Sequence, residues 1–106
     1  MPVVTIGSEL TSENFDWELY ESEVYDKIIH AEEPVHVIWD LSGMNTVPPM
    51  TIIIKQIHLL TTEKERINTN IHHNTIIVNS SKIETFLNFV FDNLYTPQKP
   101  VNIIMK

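Results

Sequence analysis

The apolar positions change period several times along the chain, and each change marks an element. Val3 to Ile6 is a β-rich run closed by Gly7, which predicts a short first strand. From Leu10 to Pro34 the period lengthens. Trp17, Tyr20, Val24 and Ile28 recur at three-to-four spacing, one apolar stripe on an otherwise acidic helix. Thr11 or Ser12 can cap that helix, with Glu13 and Asp16 in its first turn, where the helix dipole favours anions. A rival reading sets Phe15, Trp17 and Leu19 in an alternating strand, with helix only from Glu21; the longer helix is preferred. Glu32-Glu33-Pro34 ends it.

"VHVIWDL", Val35 to Leu41, predicts a second strand whose nearly continuous apolar residues suit a strand covered on both faces. After the Ser42-Gly43 turn, Pro48 or Pro49 can occupy the first turn of a helix, where a missing N–H costs nothing. That helix places Ile53, Ile57 and Leu60 on one stripe with Ile54 beside it, and the polar tail "TTEKER" closes it. "NTIIVNS" predicts a third strand. Ser80 or Ser81 then caps a helix with Ile83, Phe86, Val90 and Leu94 as its inner stripe, and "PVNIIM" predicts a last strand. The order is β-α-β-α-β-α-β in one α/β domain over residues 1–106. Its spacings suit right-handed crossover units and a mostly parallel four-stranded sheet.

Composition narrows the function classes. The chain has no cysteine, which excludes disulfides, thiol nucleophiles and thiolate metal sites. Two glycines, Gly7 and Gly43, cannot build a glycine-rich phosphate loop, so a nucleotide-binding α/β enzyme is disfavoured. A formal charge of -7 makes a poor ligand for nucleic acid or anionic membrane surfaces. Nine acids against the single base Lys27 fall between Glu9 and Glu33, and they read as a solvated helix face before a surface for a basic partner. No apolar run reaches a membrane span and no signal peptide opens the chain, so a cytoplasmic location is expected.

Candidate chemistry is sparse. His30, His36, His58, His72 and His73 include no metal-binding spacing, and the adjacent His72 and His73 are expected on opposite faces of a strand. Ser42 lies in "DLSG", not in a nucleophile elbow. Asp40 ends an apolar strand, and ligands in open α/β sheets gather at strand carboxyl ends. The same carboxylate can simply accept turn amides from Ser42 or Gly43, and that structural reading outweighs the functional one. Trp17, Trp39, Phe86, Phe89 and Phe91 read as packing residues. No cofactor, metal or catalytic residue is expected.

"PVHVIWDLSGM" followed by a helix resembles the central strand and turn of STAS domains (sulfate transporter and anti-sigma-factor antagonist). "VVTIGSELTSENF" is similar to that family's opening strand and first helix, and "NTIIVNSSKIETFLNFVF" to its next strand and helix. The resemblance implies a mixed, mainly parallel sheet with helices packed on it and no catalysis. It also implies a phosphorylatable serine in the loop entering the second helix, which switches binding to a kinase or sensor partner. Here that region reads Thr46-Val47-Pro48-Pro49-Met50-Thr51; the Asp-Ser-Ser-Gly signature is missing, the acceptor position falls on Pro49 or Met50, and Thr51 is the nearest hydroxyl.

The leading expectation is a non-enzymatic, STAS-like domain that works by protein–protein contact without the phosphoserine switch. Its contact surface would be Asp40, Ser42, Asn45, Thr46, Pro48, Pro49 and Thr51, with prolines reducing the ordering entropy lost on binding. The chain stops after a strand, without the family's last helix, so exposed sheet surface covered by a homodimer is expected. The alternative, suggested by related lipid-binding domains, is carriage of a small apolar ligand or lipid between the sheet and the Ile- and Phe-rich helices.

Overall fold

In a computed structural model, which describes residues 1–13 and 15–106, the chain forms one sheet of four parallel strands in the order β1-β2-β3-β4. The strands are β1 (Val3–Ile6), β2 (Val35–Leu41), β3 (Ile71–Val78) and β4 (Val101–Met105); the helices are α1 (Trp17–Val24), α2 (Met50–Thr62), α3 (Lys64–Asn70) and α4 (Ser81–Asn93). The expected β-α-β-α-β-α-β layout is present, and every strand pair is parallel. Among the described residues no helix is long and apolar enough to cross a membrane.

α1 starts later than Thr11 and Ser12 suggest. Its cap is Asp16, extended in backbone, whose Oδ1 accepts the Leu19 amide at 3.2 Å. Ser12 is engaged elsewhere: its Oγ accepts the Asn45 and Thr46 amides at 2.8 and 3.1 Å, which ties the segment after β2 back to the chain before α1. Asn14, inside the predicted helix, lies outside the described residues. The rival strand through Trp17 and Leu19 gives way to helix. Past Val24 the helix widens into π turns over Tyr25–Ile29, which bury both Ile28 and Ile29. The widened turn leaves carbonyls to satisfy, and Asn70 Nδ2 donates to Ile28 O and Ile29 O at 2.9 and 3.0 Å.

Pro48 and Pro49 stand before α2 rather than in its first turn. Pro49 is the cap, and its carbonyl accepts the Ile52 and Ile53 amides at 3.0 and 3.2 Å. Ile53 is buried as expected, but Ile54 points to solvent and Leu59 takes a core position instead. The polar tail "TTEKER" does not close the helical region. The chain breaks at Glu63 and resumes as α3, anchored by the buried Ile67. β3 begins at Ile71, three residues before the expected Asn74. On α4, Ile83 is buried, whereas Phe89 and, at the helix's C-cap, Leu94, both read from the sequence as packing residues, are exposed.

Strand order decides the layers. Each parallel connection is right-handed by rule, and four strands added in chain order then carry all their helices on one face. On that covered face Val37, Trp39 and Leu41 of β2 pair in register with Asn74, Ile76 and Val78 of β3. The opposite set, His36, Ile38 and Asp40 with His73, Thr75 and Ile77, is only half-buried and joins neither apolar cluster of the core. The apolar run of β2 is therefore covered on one face, not two.

The turn after β2 packs against the turn after β1. Met44 N donates to Leu41 O at 3.1 Å, and a Cβ added at Gly43 would overlap the Leu10 carbonyl oxygen. Gly43→Ala is expected to lower unfolding stability by about 2–4 kcal/mol, because backbone rather than a flexible side chain must move. Urea titration of the variant measures it; an unshifted midpoint would show that the two turns do not meet this closely.

Candidate functional site

The core is divided. One apolar cluster joins Ile6, Val35, Val37 and Ile71 to α1, its π turns, Leu59 and Ile67. A second gathers Met44, Ile76, Val78 and Ile83. Phe15 and Trp39 touch both. Between the clusters, bounded by the covered sheet face, α1, α2 and α4, lies a cavity of about 190 Å³. Its walls are Trp17 and Tyr20 from α1, Ile52, Gln56 and Ile57 from α2, Phe86, Leu87 and Phe91 from α4, and Trp39 and Ile76 from the sheet. The helical repeat accounts for this: the inner stripes of α2 and α4 both face the sheet across the same gap.

Away from its rims, three polar side chains interrupt the apolar wall. Asn74, buried on β3, accepts Trp39 Nε1–H on its Oδ1 at 2.9 Å and donates from Nδ2 to Pro100 O at 3.3 Å. That pair orients the indole across the cavity floor and holds the start of β4 to β3. Tyr20 is fully enclosed, and burial pushes its hydroxyl pKa well above the ordinary phenol value, so it stays protonated. The Gln56 amide N–H donates to the Tyr20 hydroxyl oxygen, whereas its Oε1 is buried with no partner among the described residues. An unpaired buried acceptor forfeits about 1–3 kcal/mol. Gln56 also breaks the Ile52/Ile53–Ile57–Leu60 stripe, and this is the one signal in the sequence that could have marked the site.

The residues singled out from the sequence do not converge on one point. Asp40 lies on the bare sheet face, the opposite side from the cavity, as its register with Ile77 requires. Its Oδ1 accepts the Ser42 amide at 3.1 Å and the Ser42 hydroxyl at 2.6 Å, and that hydroxyl is the main cause holding its carboxyl below the usual range. Asp40 and Ser42 thus form a turn, the structural reading. Asn45, Thr46, Pro49 and Thr51 are exposed, and Pro48 alone reaches the cavity wall. Val47, Met50 and Ile54 carry the exposed apolar surface of this segment, at 46, 63 and 60%.

The histidines meet in a way that strand alternation does not allow. Val35 pairs with Ile71 but His36 with His73, so His72 is the extra residue of a bulge. The bulge turns His72 and His73 toward each other, with Nδ1 atoms 2.9 Å apart, and His73 stacks on His36 at 3.8 Å between ring centroids. His36 Nε2 is 2.8 Å from Thr75 Oγ1. Among the described residues no group of three or more His, Cys, Asp or Glu is arranged to hold a metal.

Loss of hydration, then the neighbouring His36 and His72, lower the His73 pKa from 6.5. A base whose folded pKa lies below its unfolded value contributes stability that is complete above pH 6.5 and lost as pH falls below it. Urea midpoints are therefore expected to decline between pH 7.5 and about 5.5, and His73→Asn to flatten that decline. A wild-type midpoint constant over this range would contradict the assignment.

No protein-family model, no curated protein and no solved structure matches this chain.

Proposed function

We propose that this protein is a non-enzymatic binding domain that holds a small apolar molecule between its sheet and helices α2 and α4. The observation that carries the reading is the divided core: a cavity of about 190 Å³ separates two apolar clusters. Apolar-lined space of that size forgoes packing contacts, at a cost that reaches roughly 24 cal/mol per Å³ only in a sealed void and is smaller here, where the space opens at its rim. Total stabilities are only about 5–15 kcal/mol. A chain this small has little reason to keep such an apolar gap unless something fills it. Asp40 supports binding rather than chemistry, since its carboxylate is engaged by Ser42 and faces away from the cavity. The STAS-like reading remains a proposal about the scaffold. The alternation of strands and helices supports it, and Pro49 or Met50 at the acceptor position, neither of which carries a hydroxyl, argues for binding without a phosphorylation switch.

Trp17 and Trp39 both line the cavity, which makes their fluorescence a direct reporter. A neutral naphthyl probe, N-phenyl-1-naphthylamine, is expected to bind and take up energy from them. Filling the gap with Val90→Phe should abolish that signal and raise the melting temperature by several degrees, as about 1 kcal/mol of regained packing does in a domain of this size. Absence of probe binding to the wild-type protein would remove the reading.

A second reading rests on a separate observation, the exposed Val47, Met50 and Ile54 beside a segment that Ser12 pins. This patch, with Asn45, Thr46, Pro49 and Thr51 around it, suits docking of a partner protein. Met50→Asp with Ile54→Asp should weaken capture of a cellular partner at least tenfold, roughly the cost of losing two interface anchors. Undiminished capture by the double variant would dismiss this surface.

A further inference from the structure

The cavity has a polarity as well as a volume. Because all strands run the same way, their N-terminal ends share one rim and their C-terminal ends the other. At the C-terminal rim the wall is Leu10, Met44, Pro48 and Ile52, without a charged or hydrogen-bonding side chain among these described residues. At the N-terminal rim it is Asn68, Gln98 and Lys99, with Tyr95 beside them. Asn68 Nδ2 donates to Gln98 Oε1, which links the end of α3 to the segment leading into β4 and steadies that rim. Lys99 is half-buried and is the one charged residue among the described residues lining the cavity, in a chain with twice as many acids as bases.

We propose that the occupant is a small monocarboxylic acid, its carboxylate at Lys99 and its apolar body between α2 and α4. The proposal rests on the ligand-binding reading above and adds the ligand's class and direction. Size sets the body. A cavity of about 150 Å³ accommodates benzene, so 190 Å³ holds an apolar portion of about eight carbons. Charge sets the head. A carboxylate at the polar rim meets an ammonium and two amide side chains, whereas at the other rim it would lose its hydration to apolar walls. One contribution opposes this: α2 and α4 both end at the N-terminal rim with no basic residue in their last turns, and helix C-termini favour cations. A full charge on Lys99 outweighs those partial charges, and the choice between the two is measurable.

The test uses the intact chain with the naphthyl probe bound at pH 7.5, displaced in turn by octanoate, octanol and octylammonium. Octanoate is expected to displace it at about fivefold lower concentration than octanol, the size of a modest ion pair, with octylammonium weakest. Lys99→Gln should remove the preference, octanoate and octanol then displacing the probe equally on that variant, and Lys99→Glu should turn it toward octylammonium. Octanoate no better than octanol on the wild-type protein, or a preference that survives Lys99→Gln, overturns the proposal while apolar binding stands. Octylammonium as the best competitor would give the rim to the helix termini and equally overturn it. Failure of the probe itself to bind removes both readings together.

Discussion

Four parallel strands laid down in chain order, each reached by a right-handed crossover, can place their helices on one face only. Everything else in this molecule follows from that one-sidedness. The covered face must supply the whole core, so Val4 and Ile6, Val35 and Val37, Ile76 and Val78 are aligned there by register. The bare face mixes polar Thr5, His36, Asp40 and Thr75 with apolar Val3, Ile38, Ile77 and Ile104. The same constraint explains why Asp40 and the cavity lie on opposite sides although both belong to β2 or its neighbours.

One covered face also explains the gap. α1 with its π turns packs over β1 and β2, and α3 closes the N-terminal end of β3 through Ile67 and Asn70. α4 rests on β3 and β4. α2 makes its close backbone approach chiefly to α3, and it leaves space above Trp39 and Ile76. Large side chains frame the space without filling it, among them Trp39, whose Nε1–H is held by Asn74 Oδ1, and Tyr20.

Much of the layout was legible in the residues. β1, β2 and β4 stand where β-rich runs bounded by Gly7, Asp40 and Pro100 put them, and α4 follows its apolar spacing from Ile83. The misses have local causes. α3 hides in a polar stretch because a single buried residue, Ile67, anchors it. The start of α1 was misplaced because Thr11, Ser12 and Asp16 are all able caps, and only the partner of each side chain decides among them. His72 and His73 were set on opposite faces because period-two alternation assumes an unbroken ladder, which the bulge breaks.

The sequence by itself determined the alternation of strands and helices, the absence of thiol and glycine-loop chemistry, and the turn at Asp40 and Ser42, since all of these are set by residue type and near neighbours. Strand order, the bare face, the meeting of three histidines and the cavity with Lys99 at its rim were decided only by the tertiary structure. Each joins residues tens of positions apart, and no local pattern of apolar and polar residues specifies which distant stripes will face each other or how closely they will meet.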